Sequence, residues 1–443
     1  MLRIDGIFNL NNYDKSAYCD SITGLPDRSY LYRAFRQISS DNRLAEHNIS
    51  VAFMLIEFDK YKYINDVFVG HRYVEEFSRL SFGLLKECVG GLGLVFSFTG
   101  NEFIIIAPHA YGDERPVAVL AESIIDRMRN YAKISSYEIS STANIGISLF
   151  PKHSGDIDEL LEFADMALYE AKTGGENTYS FYSHELGLYM RKKADVFLSL
   201  KKAIDNNELY LEYQPQFDLK CSSITGIEAL MRWKSRKLGN VPPSDFIPIA
   251  EETGYIMELG RWLIGNAFDM CCRCCKRGLS LTVSLNISPI QLQDKNLLDL
   301  IRFNLKKHGI PPSFIKFEIT ESQAIISNKK NIGMLNEIAD LGIGIIIDDF
   351  GTGYSSLNYI AQFPIEGVKI DRSFISMLEK NSKMEAVIDA IIHLSRILGI
   401  SVTAEGVETR EQFEKLKRMS CDKVQGFYIG RPMTAEGLEK IIL

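Results

Sequence analysis

The sequence predicts an α/β protein whose second half is a (β/α)8 TIM-like barrel with an antiparallel first strand. Three observations carry this. From Glu208 onward, eight strand candidates appear, most followed by a helical pattern, which signals a largely parallel sheet closed into a barrel. The first two candidates are joined only by Asp218-Leu219-Lys220-Cys221-Ser222-Ser223. That link is too short for a crossover helix, so the first strand runs against the others. The strands from the second onward also end, one after another, in polar side chains that a barrel would gather at one mouth.

The bulk numbers suit two or three domains: 443 residues, 46% hydrophobic and 24% charged. A net charge of −7 argues against a nucleic-acid polymer as partner. No apolar run reaches the length of a membrane span, and Met1-Leu2-Arg3-Ile4-Asp5-Gly6 lacks an apolar signal region, so the expected location is the cytoplasm. Eight cysteines at this length form no disulfide framework. Four cluster as Cys271-Cys272-Arg273-Cys274-Cys275 in a segment of helical pattern, where neighbouring side chains point in different directions. Buried thiols are expected there rather than a metal site.

In chain order, residues 1–19 form a short arm. Asp20 to Arg28 is a turn-rich entry into a helix. Val51–Asp59 reads as a strand, Val95–Pro108 as a hairpin with Thr99-Gly100-Asn101 at its tip, Ser140–Phe150 as a strand and Ile157–Lys172 as a helix. His184–Lys202 has helical spacing and little Gly, Ser or Pro, so it reads as a helical connector. The barrel strands are expected at 209–217, 224–230, 282–287, 315–319, 343–348, 367–370, 401–405 and 423–428.

The strand ends carry the chemistry. The second ends at Glu228, with Arg232 just beyond, the third at Asn286 and the fourth at Glu318. The fifth, Ile345-Ile346-Ile347, runs into Asp348-Asp349 and a Gly351-Thr352-Gly353 turn. The sixth ends at Lys369 and Asp371, the seventh at Glu405, and the eighth region carries Gln425. Adjacent carboxylates repel unless cations or donors offset them. Glu228, Asn286, Glu318 and Asp348 are hard oxygen donors with no His or Cys among them, a set that favours Mg²⁺ or Mn²⁺ over zinc. Asp349 beside Asp348 could serve a second ion. Two such ions activate water and offset charge developing on phosphorus, the arrangement used for phosphodiester hydrolysis. Lys369 would offset charge or position the water, and Arg232 could fork onto a phosphate oxygen.

Residues 20–182 resemble a GGDEF domain, the diguanylate cyclase family. The resemblance rests on Thr23-Gly24-Leu25-Pro26, Ile64-Asn65-Asp66 with Gly70-His71, the hairpin at Thr99 to Phe103, and Ala164-Asp165-Met166-Ala167-Leu168-Tyr169 with Ala171-Lys172. It implies a palm-like antiparallel sheet flanked by helices, and a degenerate site. The hairpin reads Thr99-Gly100-Asn101-Glu102-Phe103, with neutral Asn101 where the family has a metal-holding acid. Thr99 puts a branched side chain where the family's glycine lets backbone approach the nucleotide. Glu57 stands for the strand aspartate that ligates metal, and Glu75 for the guanine-contacting aspartate, while the guanine-contacting Asn65 is kept. The phosphate-contacting Lys172 is kept, but its arginine partner is Glu176, an anion that repels phosphate. The inhibitory Arg-x-x-Asp is absent, with Gly90-Gly91-Leu92-Gly93 in that neighbourhood. No cyclase activity is expected. Binding of GTP at the residual site stays open.

Residues 197–443, after a connector at 183–196, resemble the EAL family of cyclic di-GMP phosphodiesterases. The motifs are Glu228-Ala229-Leu230-x-Arg232, Asn286-Ile287-Ser288, Glu318-Ile319-Thr320-Glu321-Ser322, Asp348-Asp349-Phe350-Gly351-Thr352-Gly353, Val368-Lys369-Ile370-Asp371, Ala404-Glu405-Gly406-Val407-Glu408-Thr409 and Gln425-Gly426. The resemblance implies that Glu228, Asn286, Glu318 and Asp348 hold one Mg²⁺ or Mn²⁺, and Asp348 with Asp349 a second. It implies that Lys369 contacts the catalytic water, that Glu405 is an essential base or metal-organising acid, and that Gln425 helps place the water or metal shell. Arg232 and Asp371 are implied in substrate binding. Glu321 is implied as the anchor of the loop from Asp349 to Tyr354, which closes the site and contributes to a homodimer. The expected reaction cleaves cyclic di-GMP to linear pGpG. The alternative is a silent cyclic di-GMP receptor that signals through a protein partner. A protein partner is also a candidate source of the input signal.

Overall fold

The computed structural model describes residues 19, 26–58, 71–99, 102–129, 133–134, 137–138, 142–321, 329–351 and 363–442. Contacts divide the chain into two compact units, Met1–Lys192 and Lys193–Leu443.

The first unit opens with helix α1 (Arg28–Ser39), whose N-terminus is capped by Asp27, its carboxylate accepting from the Tyr30 N–H at 2.9 Å. Strand β1 (Ile49–Phe58) is apolar almost throughout because it lies mid-sheet with both faces covered. Helix α2 (His71–Val89), strands β2 (Leu94–Thr99) and β3 (Glu102–Ala110), helix α3 (Arg115–Arg129), strand β4 (Ala143–Phe150), helix α4 (Ile157–Thr173) and strand β5 (Tyr179–Phe181) follow. The sheet order is β2-β3-β1-β4-β5. The pairings are antiparallel except β4–β5, a parallel edge pair that the expected antiparallel sheet did not include. Helix α4 is capped by Asp156, which accepts from the Asp158 and Glu159 N–H groups, and Asp158 and Glu159 in its first turn suit the helix dipole. The expected connector is helical: α5 spans His184–Leu200.

The second unit is the predicted barrel. Its strands are β6 (Leu209–Asp218), β7 (Ser223–Ser235), β8 (Thr282–Asn286), β9 (Ile315–Thr320), β10 (Gly344–Phe350), β11 (Ile365–Ile370), β12 (Ser401–Ala404) and β13 (Lys423–Gln425). Strands β7 to β13 run parallel to one another, and a short strand at Gly239–Val241 pairs antiparallel with the end of β7. Strand β6 runs antiparallel to both β7 and β13 and closes the ring. Among the helices, α6 (Ile256–Lys276) carries the cysteine cluster. Cys271, Cys272 and Cys274 are buried in the barrel-unit core and Cys275 packs against it, as expected for structural thiols. Helix α7 (Arg372–Met377) follows β11, and α8 (Ser382–Leu398) follows it.

Register decides which side chains meet. Asn286 lies opposite Glu318, and Thr320 opposite Asp348. Across the antiparallel strand, Gln214 faces Glu228 and Gln216 faces both Gln425 and Gly226.

Candidate active site

The barrel's charged strand ends converge on Lys369. Its side chain is 2% exposed, and its ammonium lies 3.0 Å from Glu228 Oε2, 2.8 Å from Glu318 Oε2, 3.5 Å from Asp348 Oδ1 and 2.5 Å from Glu405 Oε1. Four carboxylates therefore share one cation. Asn286 Nδ2 donates to Glu228 Oε1 at 2.9 Å, and Gln425 Nε2 donates to Glu228 Oε2 at 2.6 Å. Oxygens of Asp348, Asp349 and Glu405 lie within 4.8 Å of one another, the only such acidic, His or Cys group among the described residues.

The electrostatics register this excess of negative charge. Burial, and then the charge of Glu228, push Glu318 well above the usual carboxylate range. Burial raises Asp348, opposed by Lys369, and burial with neighbouring Asp348 raises Asp349. Glu405 is pushed up to about 8 by burial, against the pull of Lys369. For Glu228, burial pushes upward, but Lys369 and the hydrogen bonds from Gln425 and Asn286 outweigh it, and its pKa falls. Burial would lower Lys369, yet the surrounding carboxylates raise it well above the usual lysine value.

Do these residues fit divalent cations? Glu318 Oε1 is buried with no hydrogen-bond partner among the described residues. A buried oxygen in that state costs about 1–3 kcal/mol unless something else satisfies it. With one ammonium for four carboxylates and hard oxygen donors throughout, the set fits Mg²⁺ or Mn²⁺.

Asp349 has φ of 54°. Asp enters this left-handed region more readily than most non-glycine residues, and here the Asp349 N–H donates to Asp348 Oδ1 at 3.0 Å, where the pairing with β11 is irregular. Glu321 Oε2 accepts from the Gly351 N–H at 2.8 Å, so the predicted anchor does reach the start of its loop. Gly351 has φ of 100°, and a Cβ there would meet the Phe374 ring at 2.7 Å. The rest of that loop lies outside the described residues.

Two proposed substrate contacts have protein partners. Arg232 Nε pairs with Glu212 at 2.7 Å, and Asp371 caps α7 by accepting from the Ser373 N–H at 2.9 Å. A cavity of ≈ 240 Å³ opens on the acidic cluster, lined by Glu228, Asp348 and Glu405 together with Gln214, Arg372 and Phe427. The last three escaped the sequence reading. A second, mostly apolar cavity of ≈ 370 Å³ contains Arg232 and Asn286 beside Leu230, Ile247 and Leu263.

In the first unit, Glu57 and Glu102 face each other across β1 and β3, and Lys172 of α4 forms an ion pair with Glu57. Burial raises Asp165, opposed by Lys172. Glu176 is exposed. Asn65, Gly100 and Asn101, and the side chains of Glu75 and Thr99, lie outside the described residues.

Comparison with known proteins places both halves. The EAL domain model matches residues 198–432, more than half of the chain, and the model named diguanylate cyclase, GGDEF domain matches residues 17–178. Signaling protein YkoW of Bacillus subtilis (strain 168) is 36% identical over 429 residues, which cover 97% of this chain and 53% of that protein. The bifunctional diguanylate cyclase/cyclic di-GMP phosphodiesterase MucR of Pseudomonas aeruginosa is 34% identical over 430 residues, covering 95% of this chain and 61% of that protein. The chain thus spans little more than half the length of these relatives. A solved structure, the PaMucR phosphodiesterase in complex with c-di-GMP, aligns at 38% identity with a TM-score of 0.53, covering 55% of this chain and 99% of that one. The chain belongs to the EAL domain family and carries a GGDEF domain ahead of its EAL domain.

Proposed function

We propose that the barrel hydrolyses cyclic di-GMP to linear pGpG, with two Mg²⁺ or Mn²⁺ ions held by Glu228, Asn286, Glu318, Asp348 and Asp349. The observation that supports this most is the buried quartet of carboxylates around Lys369, with one Glu318 oxygen unsatisfied. Divalent ions bound there would activate water and offset charge at phosphorus. Water adds to phosphorus, one P–O3′ bond breaks, and the opened product keeps a 5′-phosphate and gains a 3′-hydroxyl.

The chain's own residues do the rest. Glu405 lies beside Asp348 and Asp349 at the cavity, placed to take the proton of the attacking water once bound cations keep it ionised. Lys369 fixes the carboxylates in one arrangement. Arg232 grips a phosphate oxygen, for which it must be shared with Glu212. Asp371 keeps α7, and so Arg372, at the rim of the cavity.

The same reading gives the GGDEF domain no cyclase activity, although one relative is named bifunctional. Here Asn101 replaces an acid, Glu176 replaces the arginine partner, and Lys172 pairs with Glu57. The division into an arm (1–19), a GGDEF domain (20–182), a connector (183–196) and an EAL domain (197–443) is part of this proposal. So is a homodimer through the barrel: α8 exposes Val387, Ile397 and Leu398 on its surface.

The test is to incubate the full chain with cyclic di-GMP and Mg²⁺, with and without GTP, and separate the nucleotides. Linear pGpG in both samples is expected. Intact cyclic di-GMP retained by the protein would instead favour a receptor acting through a protein partner.

A further inference from the structure

Among the eight strands β6 to β13, β6 runs against the other seven, and its side chains enter the interior at positions the strand ends do not occupy. Gln214 and Gln216 alternate along it, two residues apart and so on one face. Gln214 faces Glu228, while Gln216 faces Gly226, two positions before Glu228 on β7 and therefore one layer beneath it. Gln216 is also opposite Gln425 on the other side.

The hydrogen bonds run in one direction through this floor. Gln216 Nε2 donates to Gln425 Oε1 at 3.0 Å. Gln425 Nε2 donates to Gln214 Oε1 at 3.1 Å and to Glu228 Oε2 at 2.6 Å. Gln216, Gln425 and Glu228 are each 4% exposed. A primary amide has two N–H donors and an acceptor oxygen, so both donors of Gln425 are in use and its oxygen accepts from Gln216.

An amide beside a carboxylate has two orientations of nearly equal shape and opposite electrostatics. With nitrogen toward Glu228 it donates a charge-assisted hydrogen bond. Turned over, it sets a carbonyl oxygen against a buried anion. Glu228 and Gln214 both accept on the nitrogen side, and Gln216 supplies a donor on the side where Gln425 must keep its oxygen, so the orientation is held from both ends of the amide. Gly226 leaves room for this: a Cβ there would lie 2.7 Å from Gln216 Oε1 and 2.5 Å from Thr282 Oγ1.

We propose that Gln216 is a positioning residue: from the antiparallel strand it fixes the amide of Gln425, and through it the Glu228 carboxylate, in the orientation that receives a divalent cation. The inference rests on the metal-dependent reading of the barrel. It assigns Gln216 no contact with substrate or cation. It explains why a strand that contributes none of the carboxylates carries paired glutamines beneath them.

The test uses the metal-free full chain and Mn²⁺ as probe, titrated by calorimetry. Removing a partner that orients a metal ligand typically weakens metal affinity by about 10–100-fold. Gln216→Met, close in volume and unable to donate, is expected to weaken Mn²⁺ binding within that range while far-UV circular dichroism stays unchanged. Because Gln216 acts through Gln425, the double variant Gln216→Met/Gln425→Met should lose no more affinity than Gln425→Met alone. If the Met variant does not fold, Gln216→Asn keeps a polar amide in that layer but withdraws it by one methylene, and the same loss is expected. Wild-type Mn²⁺ uptake that Gln216→Met leaves unchanged, or losses that add in the double variant, overturn the inference alone. A wild-type chain that takes up no Mn²⁺ overturns the metal reading and the inference with it.

Discussion

Each half of the chain sets a lysine against carboxylates, and the two arrangements behave differently. In the GGDEF domain Lys172 pairs with Glu57, with side chains 35% and 22% exposed, beside the facing Glu102. Water screens that pair, so its formation is worth little and its loss leaves both groups hydrated. In the EAL domain Lys369 is buried among four carboxylates, only two of which, Asp348 and Glu405, keep partial exposure. There solvent relieves the cation deficit far less, and it appears as raised carboxylate pKa values and an unsatisfied Glu318 oxygen. The difference is one of burial more than of residue type. A surface pair can drift through substitution at low cost, whereas a buried, charge-deficient cluster is tolerable only if it recruits protons or metal ions.

The largest expected effect breaks the cluster itself. Glu228→Ala or Glu318→Gln should lower cyclic di-GMP cleavage on the order of 10²–10³-fold or more, as loss of a main transition-state stabiliser does. A nucleotide chromatogram unchanged from wild type would remove that residue from the metal set. Lys369→Met sharpens the contrast. Without its cation the metal-free barrel should lose about 3–5 kcal/mol at pH 8 by urea unfolding, with Mg²⁺ restoring part of it. The matching Lys172→Met should change stability by about 1 kcal/mol or less. Equal losses at the two sites would erase the distinction drawn between them.

Acidity gives a third test. A carboxyl whose folded pKa is raised binds its proton in the folded state while the unfolded chain has released it. For Glu405 the window runs from the ordinary value of 4.5 to about 8, and Glu318 and Asp348 are raised in the same direction. Between these limits the folded state binds more protons, so stability of the metal-free protein should fall as pH rises from 5 to 8. Differential scanning calorimetry with Mg²⁺ should show a flatter dependence. The smallest effect on stability is expected at Asp349. Glycine adopts φ of 54° without strain, so Asp349→Gly should leave the barrel as stable or more stable by about 1 kcal/mol while cleavage drops. A destabilised Asp349→Gly would mean that the carboxylate also holds the fold.

The sequence made much of the barrel legible because its signal is local. From the second strand onward, the strands read as short runs rich in apolar residues that end in the polar groups the mouth collects. The six-residue link before Ile224 was enough to orient the first strand. What stayed hidden depends on closure. Gln216 and Gln425 are 209 positions apart and meet only because β13 pairs with β6. A search of strand ends passes over Gln214 and Gln216, which lie inside a strand that ends at the other face. Their signal was the alternation of Glu212, Gln214 and Gln216 in an otherwise apolar architecture. The Glu212 partner of Arg232 and the capping role of Asp371 were invisible for a related reason: motif positions name a residue without naming its neighbours. In the first half, the β1 core was plain from its apolar run, while the parallel edge strand β5, of three residues, was too short to announce itself.

The central claim is that the four carboxylates around Lys369 are assembled for divalent cations. The most direct measurement is calorimetric titration of Mn²⁺ into the metal-free protein at pH 7, repeated in buffers of different ionisation enthalpy. The account predicts about two ions bound per chain, with protons released as Glu405 and its neighbours ionise, and both signals reduced in Glu318→Gln. Binding without proton release, or uptake that Glu318→Gln leaves untouched, would contradict it.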